Sequence, residues 1–108
     1  MVRVKLTTEA RTQLSELPRL IALRMEKLLG RLRLWPEVSG VKRLRGDLAG
    51  KCRLRTGDYR LQFQIEESKR TLEETRLVKG KELTTYLEIV DYEIVVEKIG
   101  HRDGFYED

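Results

Sequence analysis

Apolar and polar positions switch period three times along this chain, and the switches delimit its elements. Val2, Val4 and Leu6 alternate with Arg3 and Lys5, the period-two pattern of a short strand with one buried face. Ala10, Leu14 and Leu17 then recur at four- and three-residue intervals. Thr7 or Thr8 offers the N-cap of this short helix, and Glu9 sits in its first turn against the helix dipole. Pro18 ends the first helix or opens a second, since proline is tolerated at a helix start and not in an interior. From Pro18 to about Leu34, Ile21, Met25, Leu28 and Leu32 fall on one stripe, widened by Leu20, Leu29 and Trp35. Arg19, Arg24, Glu26, Lys27, Arg31 and Arg33 fill the remainder, so the apolar side of a helical hairpin must cover a sheet. Pro36 stops the pattern.

Residues 37–50 read as a loop, with turn signals at Gly40, Gly46 and Gly50 and with Lys42, Arg43 and Arg45 among them. Gly46 and Gly50 lack the Lys-Ser/Thr continuation of a phosphate-binding loop. Strict alternation resumes at Lys51 and runs to Ile65 around Thr56-Gly57-Asp58, a β-hairpin signal. Cys52, Leu54, Tyr59, Leu61, Phe63 and Ile65 face a core in this register. Lys51, Arg53, Arg55, Arg60, Gln62 and Gln64 share the other face and make a basic platform. By pattern alone such a platform is the solvated side of a half-buried antiparallel sheet.

Residues 66–91 are rich in Glu, Lys, Arg and Thr, with Lys79-Gly80-Lys81 as a turn between Thr71–Val78 and Leu83–Val90. This reads as a long charged β-hairpin projecting from the sheet, with a helix over 72–78 as the alternative. Tyr92 to Ile99 is apolar in both alternate registers, as a strand covered on both faces would be. A tail of Gly100-His101-Arg102-Asp103-Gly104-Phe105-Tyr106-Glu107-Asp108 follows.

The 108 residues bound a single domain, 1–108, with a modest core. One cysteine and one histidine exclude an internal disulfide and a zinc cluster. The absence of a long apolar run points to a soluble cytoplasmic protein without a membrane segment. A net charge of +4 and pI near 9.4 favour nucleic acid or an acidic protein partner.

Four motifs narrow this further: Leu44-Arg45-Gly46, Lys51-x-Arg53-Leu54-Arg55, Gly57-Asp58-Tyr59-Arg60-Leu61 and Ile99-Gly100-His101-Arg102-x-x-x-Tyr106. In this order and spacing they resemble the RelE/ParE superfamily of type II toxin–antitoxin toxins, on the RelE side. The resemblance covers the chain apart from an insertion at about 67–91, where members of the family commonly have a tight connection. It implies an α+β fold: an N-terminal strand and helical hairpin on a small, mainly antiparallel sheet. It also implies a ribosome-dependent endoribonuclease that cuts messenger RNA and is neutralised by a small antitoxin bound across the concave face.

Carried over by position, the active-site residues are Lys51, Arg53, Arg60, Arg102 and Tyr106. His101 joins them as an alternative proton-transfer group to Lys51, or else caps a strand end. Lys42, Arg43, Arg45 and Arg55 extend the basic surface toward RNA. Arg53 stands where relatives often have lysine; a guanidinium stabilises phosphate charge but is a poor proton donor or acceptor. RNA cleavage through the neighbouring 2′-hydroxyl needs no metal or other cofactor. Two further readings share this sequence: a ParE-like poison of DNA gyrase that cuts no RNA, and an inactive basic nucleic-acid binder.

Overall fold

The computed structural model describes residues 1–105. Strand β1 (Val2–Leu6) leads into helix α1 (Thr8–Ser15) and helix α2 (Arg19–Leu32). A two-residue strand β2 (Lys42–Arg43) and a 3₁₀ turn (Gly46–Leu48) precede β3 (Lys51–Thr56), β4 (Tyr59–Val78) and β5 (Lys81–His101). The sheet order is β1-β5-β4-β3-β2, with β1 parallel to β5 and the other neighbours antiparallel.

Local chemistry sets the element ends. Thr7 is the N-cap of α1, its hydroxyl accepting from the Ala10 N–H at 3.1 Å, which satisfies one of the orphan donors of the first turn. Pro18 occupies the N-cap of α2 in an extended conformation. Gly57 turns the β3–β4 hairpin at φ 58°, and Lys79 and Gly80 turn the β4–β5 hairpin at φ 52° and 73°. Two successive positive values are the mark of a tight primed turn.

The core lies between the helices and one sheet face. Met25, Leu28 and Leu32 from α2 and Ala10 from α1 meet Cys52, Leu54, Leu61, Phe63, Ile94, Val96 and Ile99. Trp35 packs edge-on against Phe63 with ring centroids 5.9 Å apart. All six residues assigned inward from the hairpin's alternation are inward, Tyr59 and Ile65 being partly buried.

Two features depart from the expected outline. The projecting hairpin and the core strands are continuous, so that β4 and β5 are 20 and 21 residues long. Residues 72–78 are strand, not helix. Beyond the body the two strands form a bare ribbon, which draws the molecule out to 66 × 32 × 25 Å and its radius of gyration to 18.9 Å, against about 13 Å for a compact domain of this length. The second departure is a register shift at Gln62/Phe63: Gln62 pairs with Lys98 but Phe63 pairs with Val96, leaving Glu97 as the extra residue of a bulge.

Candidate active site

Pairing across the sheet arranges the open face in rows. Lys51 is opposite Gln64, which is opposite Val95; Arg53, Gln62 and Lys98 form the next row; Arg55, Arg60 and Gly100 the third. Lys42 adds to the second row from the edge, opposite Arg53. A shallow groove of about 300 Å³ is lined by Gly40, Lys42, Arg53 and Arg55. A second concavity, of about 330 Å³, lies at the root of the long hairpin among Arg3, Glu66, Glu67, Asp91 and Glu93. Its acidic lining sets it apart from the cationic face.

Glu97, which alternation does not single out, is central to this face. Strict period two would align it with Ile99, which is buried in the core. The bulge instead turns it outward to Lys51, whose ammonium donates to both carboxylate oxygens at 2.7 and 2.6 Å. The signal for it was present in the spacing of Val96 and Ile99: two inward residues three apart require one extra residue between them.

Arg60 is partly buried, and its Nη1 is enclosed with no hydrogen-bond acceptor among the described residues. A buried guanidinium donor without an acceptor is costly, and an anionic oxygen is the group that best satisfies it. Arg102 begins the tail. Its backbone N–H donates to the Asp58 carbonyl at 2.7 Å, and its side chain lies 3.6 Å from both Asp58 and Asp103. The hairpin turn thus holds the tail's arginine at the end of the Arg55–Arg60 row.

His101 is one residue away but belongs to the other face: it pairs with Tyr59, and the two rings meet edge-on at 5.2 Å. Its Nδ1 accepts the Asp103 N–H at 3.0 Å, which leaves the neutral ring's proton on Nε2. Arg43 and Arg45 lie off the rows, Arg43 opposite Cys52 and Arg45 ahead of the 3₁₀ turn. Burial pushes the Cys52 thiol up, with the nearby Arg43 opposing that shift, so the thiol is a core group and not a nucleophile.

The open face is not bare at its centre. Phe105 is buried to 2% exposure yet stands apart from the helix-side core. It lies over Gly100, where an added Cβ would come within 3.5 Å of its ring. The Lys98 ammonium donates to the Phe105 carbonyl and sits 4.8 Å from the ring centroid. Phe105 therefore anchors the tail to the open face. Tyr106, the remaining site residue expected from sequence, lies outside the described residues. Among the described residues no cluster of three or more His, Cys, Asp or Glu could hold a metal ion, and no helix is long and apolar enough to cross a membrane.

No protein-family model matches the sequence, and no curated protein matches it. Among solved structures the chain is similar to one from the toxin–antitoxin complex RelBE2 of Mycobacterium tuberculosis, at 27% identity and a TM-score of 0.62. The match covers 93% of this chain and 96% of that one. The chain thus has a RelE-like fold.

Proposed function

We propose that this chain is the toxin of a type II toxin–antitoxin pair, a metal-independent endoribonuclease that cuts messenger RNA on the ribosome. The observation that carries the reading is the Arg60 guanidinium, partly buried in a row of cations with one enclosed donor lacking an acceptor among the described residues. A phosphate oxygen completes it.

In this reading the scissile phosphate lies over Arg53, Arg60 and Arg102. The 2′-hydroxyl of the preceding nucleotide gives up its proton and its oxygen attacks phosphorus. The phosphorane gathers negative charge, and fixed guanidinium groups stabilise that charge more than they stabilise the ground state. The P–O5′ bond then breaks, the 5′-oxygen takes a proton, and a 2′,3′-cyclic phosphate remains. Lys51 or His101 handles the proton; Lys51 is the better placed, being on the cation face. Glu97 acts through Lys51 as a positioning residue, fixing its ammonium with two contacts. Lys42, Arg43, Arg45 and Arg55 hold the flanking strand by its phosphates, and Tyr106 stacks on an unpaired base. The neighbouring structure is a complex of a toxin with its antitoxin, which supports a cognate antitoxin as this chain's inhibitor; in this reading the chain acts in the cytoplasm, where ribosomes meet their messages.

Induced expression of the wild-type chain beside Arg60→Ala/Arg102→Ala, with transcript 5′ ends mapped, tests this. The expected outcome is growth arrest with new cuts inside translated messages, both lost in the double variant. Arrest with intact messages and a DNA-damage response would replace the reading with the gyrase one. No arrest would leave a nucleic-acid binder without nuclease activity.

A further inference from the structure

The long hairpin presents a problem that the body of the molecule does not solve. From Ser68 to Asp91 its two strands pair only with each other, because β3 ends its pairing at Gln64 and β1 begins its own at Tyr92. A two-stranded ribbon standing alone in water is marginal. This one is also apolar where it is exposed: Leu72, Leu77, Val78, Leu83, Tyr86 and Leu87 are 44–73% accessible. An open edge of this length is usually blunted by proline, a bulge or charged side chains, the last of which oppose a second copy only where like charges meet. The ribbon has no proline, its charges alternate in sign, and the register shift lies back at Gln62/Phe63.

We propose that the free edge of β4 pairs with the same edge of a second copy of this chain. The chains run antiparallel about a two-fold axis at Leu72, so that the two hairpins form one four-stranded sheet. Charge and length both select this occupant. Residues 66–91 carry seven acidic side chains against five basic ones, which disfavours RNA, whereas self-pairing about Leu72 brings Arg70 and Glu74 together twice and sets no like charges opposite one another. Leu72 falls opposite the partner's Leu72, Arg70 opposite the partner's Glu74, and Ser68 opposite the partner's Arg76. No like charges face each other. Because Leu87 stands beside Leu72 in the same row, four leucines run across the joined sheet, with an Arg–Glu pair on either side of them. The edge is used almost in full: Glu66 meets the partner's Val78, and each tip stops short of the partner's Lys51, which occupies the edge at Gln64. The other edge is less open, since the Met1 ammonium donates to the Val90 carbonyl and the Tyr92 N–H donates to the Met1 carbonyl.

The register is tested by charge exchange. Glu74→Arg sets Arg70 against an arginine twice across the axis, and Arg70→Glu sets Glu74 against a glutamate twice. Each variant alone should sediment as a monomer, while the wild type sediments as a dimer and an equimolar mixture of the two variants as a heterodimer. Recovery on mixing cannot come from misfolded chains. Independently, Leu72→Cys should form an intermolecular disulfide under mild oxidation, and Tyr86→Cys should not. A wild type that stays monomeric, a mixture that does not associate, or cross-linking through position 86 in place of 72 would overturn the proposal. None of these outcomes depends on nuclease activity.

Discussion

Lys51 and Glu97 meet through two short contacts, with side chains 28% and 22% exposed. A partly buried pair of this kind offsets part of its Coulomb gain with the cost of desolvating both charges, so its net contribution to folding is small and its two contacts serve to hold the Lys51 ammonium in place. Glu97→Gln keeps the shape and removes the charge. Its melting temperature should stay within about 4–8 °C of wild type, the equivalent of roughly 1 kcal/mol in a domain this size, while cleavage of ribosome-bound message falls. Lys51→Ala should lower cleavage by about 10²–10⁴, the usual worth of a proton-transfer group. Because Glu97 acts through Lys51, adding Glu97→Gln to Lys51→Ala should lower it no further. Additive losses would instead make Glu97 a group that touches RNA itself. The same residue shows where pattern reading runs out. Alternation assigns a face only while each strand advances one residue per partner, and the bulge breaks that count between Lys98 and Val96. Lys51, Arg53, Arg55 and Arg60 lie before the break and were legible on one face; Glu97 lies in it and was not. His101 stands on the opposite face from Arg60, a consequence of pairing with Tyr59 that the motif alone does not reveal.

At the scale of elements, the hairpin of β3 and β4 is what holds the site together. Its turn places Asp58 against Arg102 from the tail, and its inner face supplies Leu54, Leu61 and Phe63 to the core. Gly57 sits at φ 58° with no heavy atom within 4 Å of an added Cβ, so Gly57→Ala meets no clash and isolates the backbone strain. It should destabilise the domain by about 1–2 kcal/mol, the usual penalty of the left-handed region for a residue with a Cβ, read from a shift in the urea midpoint with unchanged slope. The helices and this hairpin were legible because each has one face in water and one in the core, which writes a period of 3.6 or 2 into the sequence. The outer parts of β4 and β5 have no buried face. Their side chains carry only a weak alternation, and the sequence accordingly left 72–78 open between helix and strand and divided β5 at Asp91. The Lys79-Gly80 turn survived this loss, because its signal is a backbone requirement and not a packing pattern.

At the scale of the whole molecule, body and ribbon are opposite in charge and joined at one place. The ribbon is slightly acidic within a chain of net charge +4, so the body is more basic than the total suggests. At the joint, Asp91 accepts from Arg70 Nε at 2.8 Å and lies 3.2 Å from the Met1 ammonium. The Arg70 hydrogen bond, with help from that ammonium, holds the Asp91 carboxyl below the usual carboxylate range. A carboxylate whose native pKa is depressed contributes its stabilisation in full above the unfolded value, about 3.9, and loses it as pH falls through the lower native value. Its removal should therefore matter at neutral pH and cease to matter in acid. Asp91→Asn should speed amide hydrogen exchange at the root of the ribbon, around 68–70 and 89–91, at pH 7. The wild type should approach the same exchange pattern, after correction for the intrinsic rate, only as pH drops below about 4. Equal protection of the two proteins at pH 7 would mean that strand pairing alone sets the joint and that the Arg70–Asp91 contact is incidental to it.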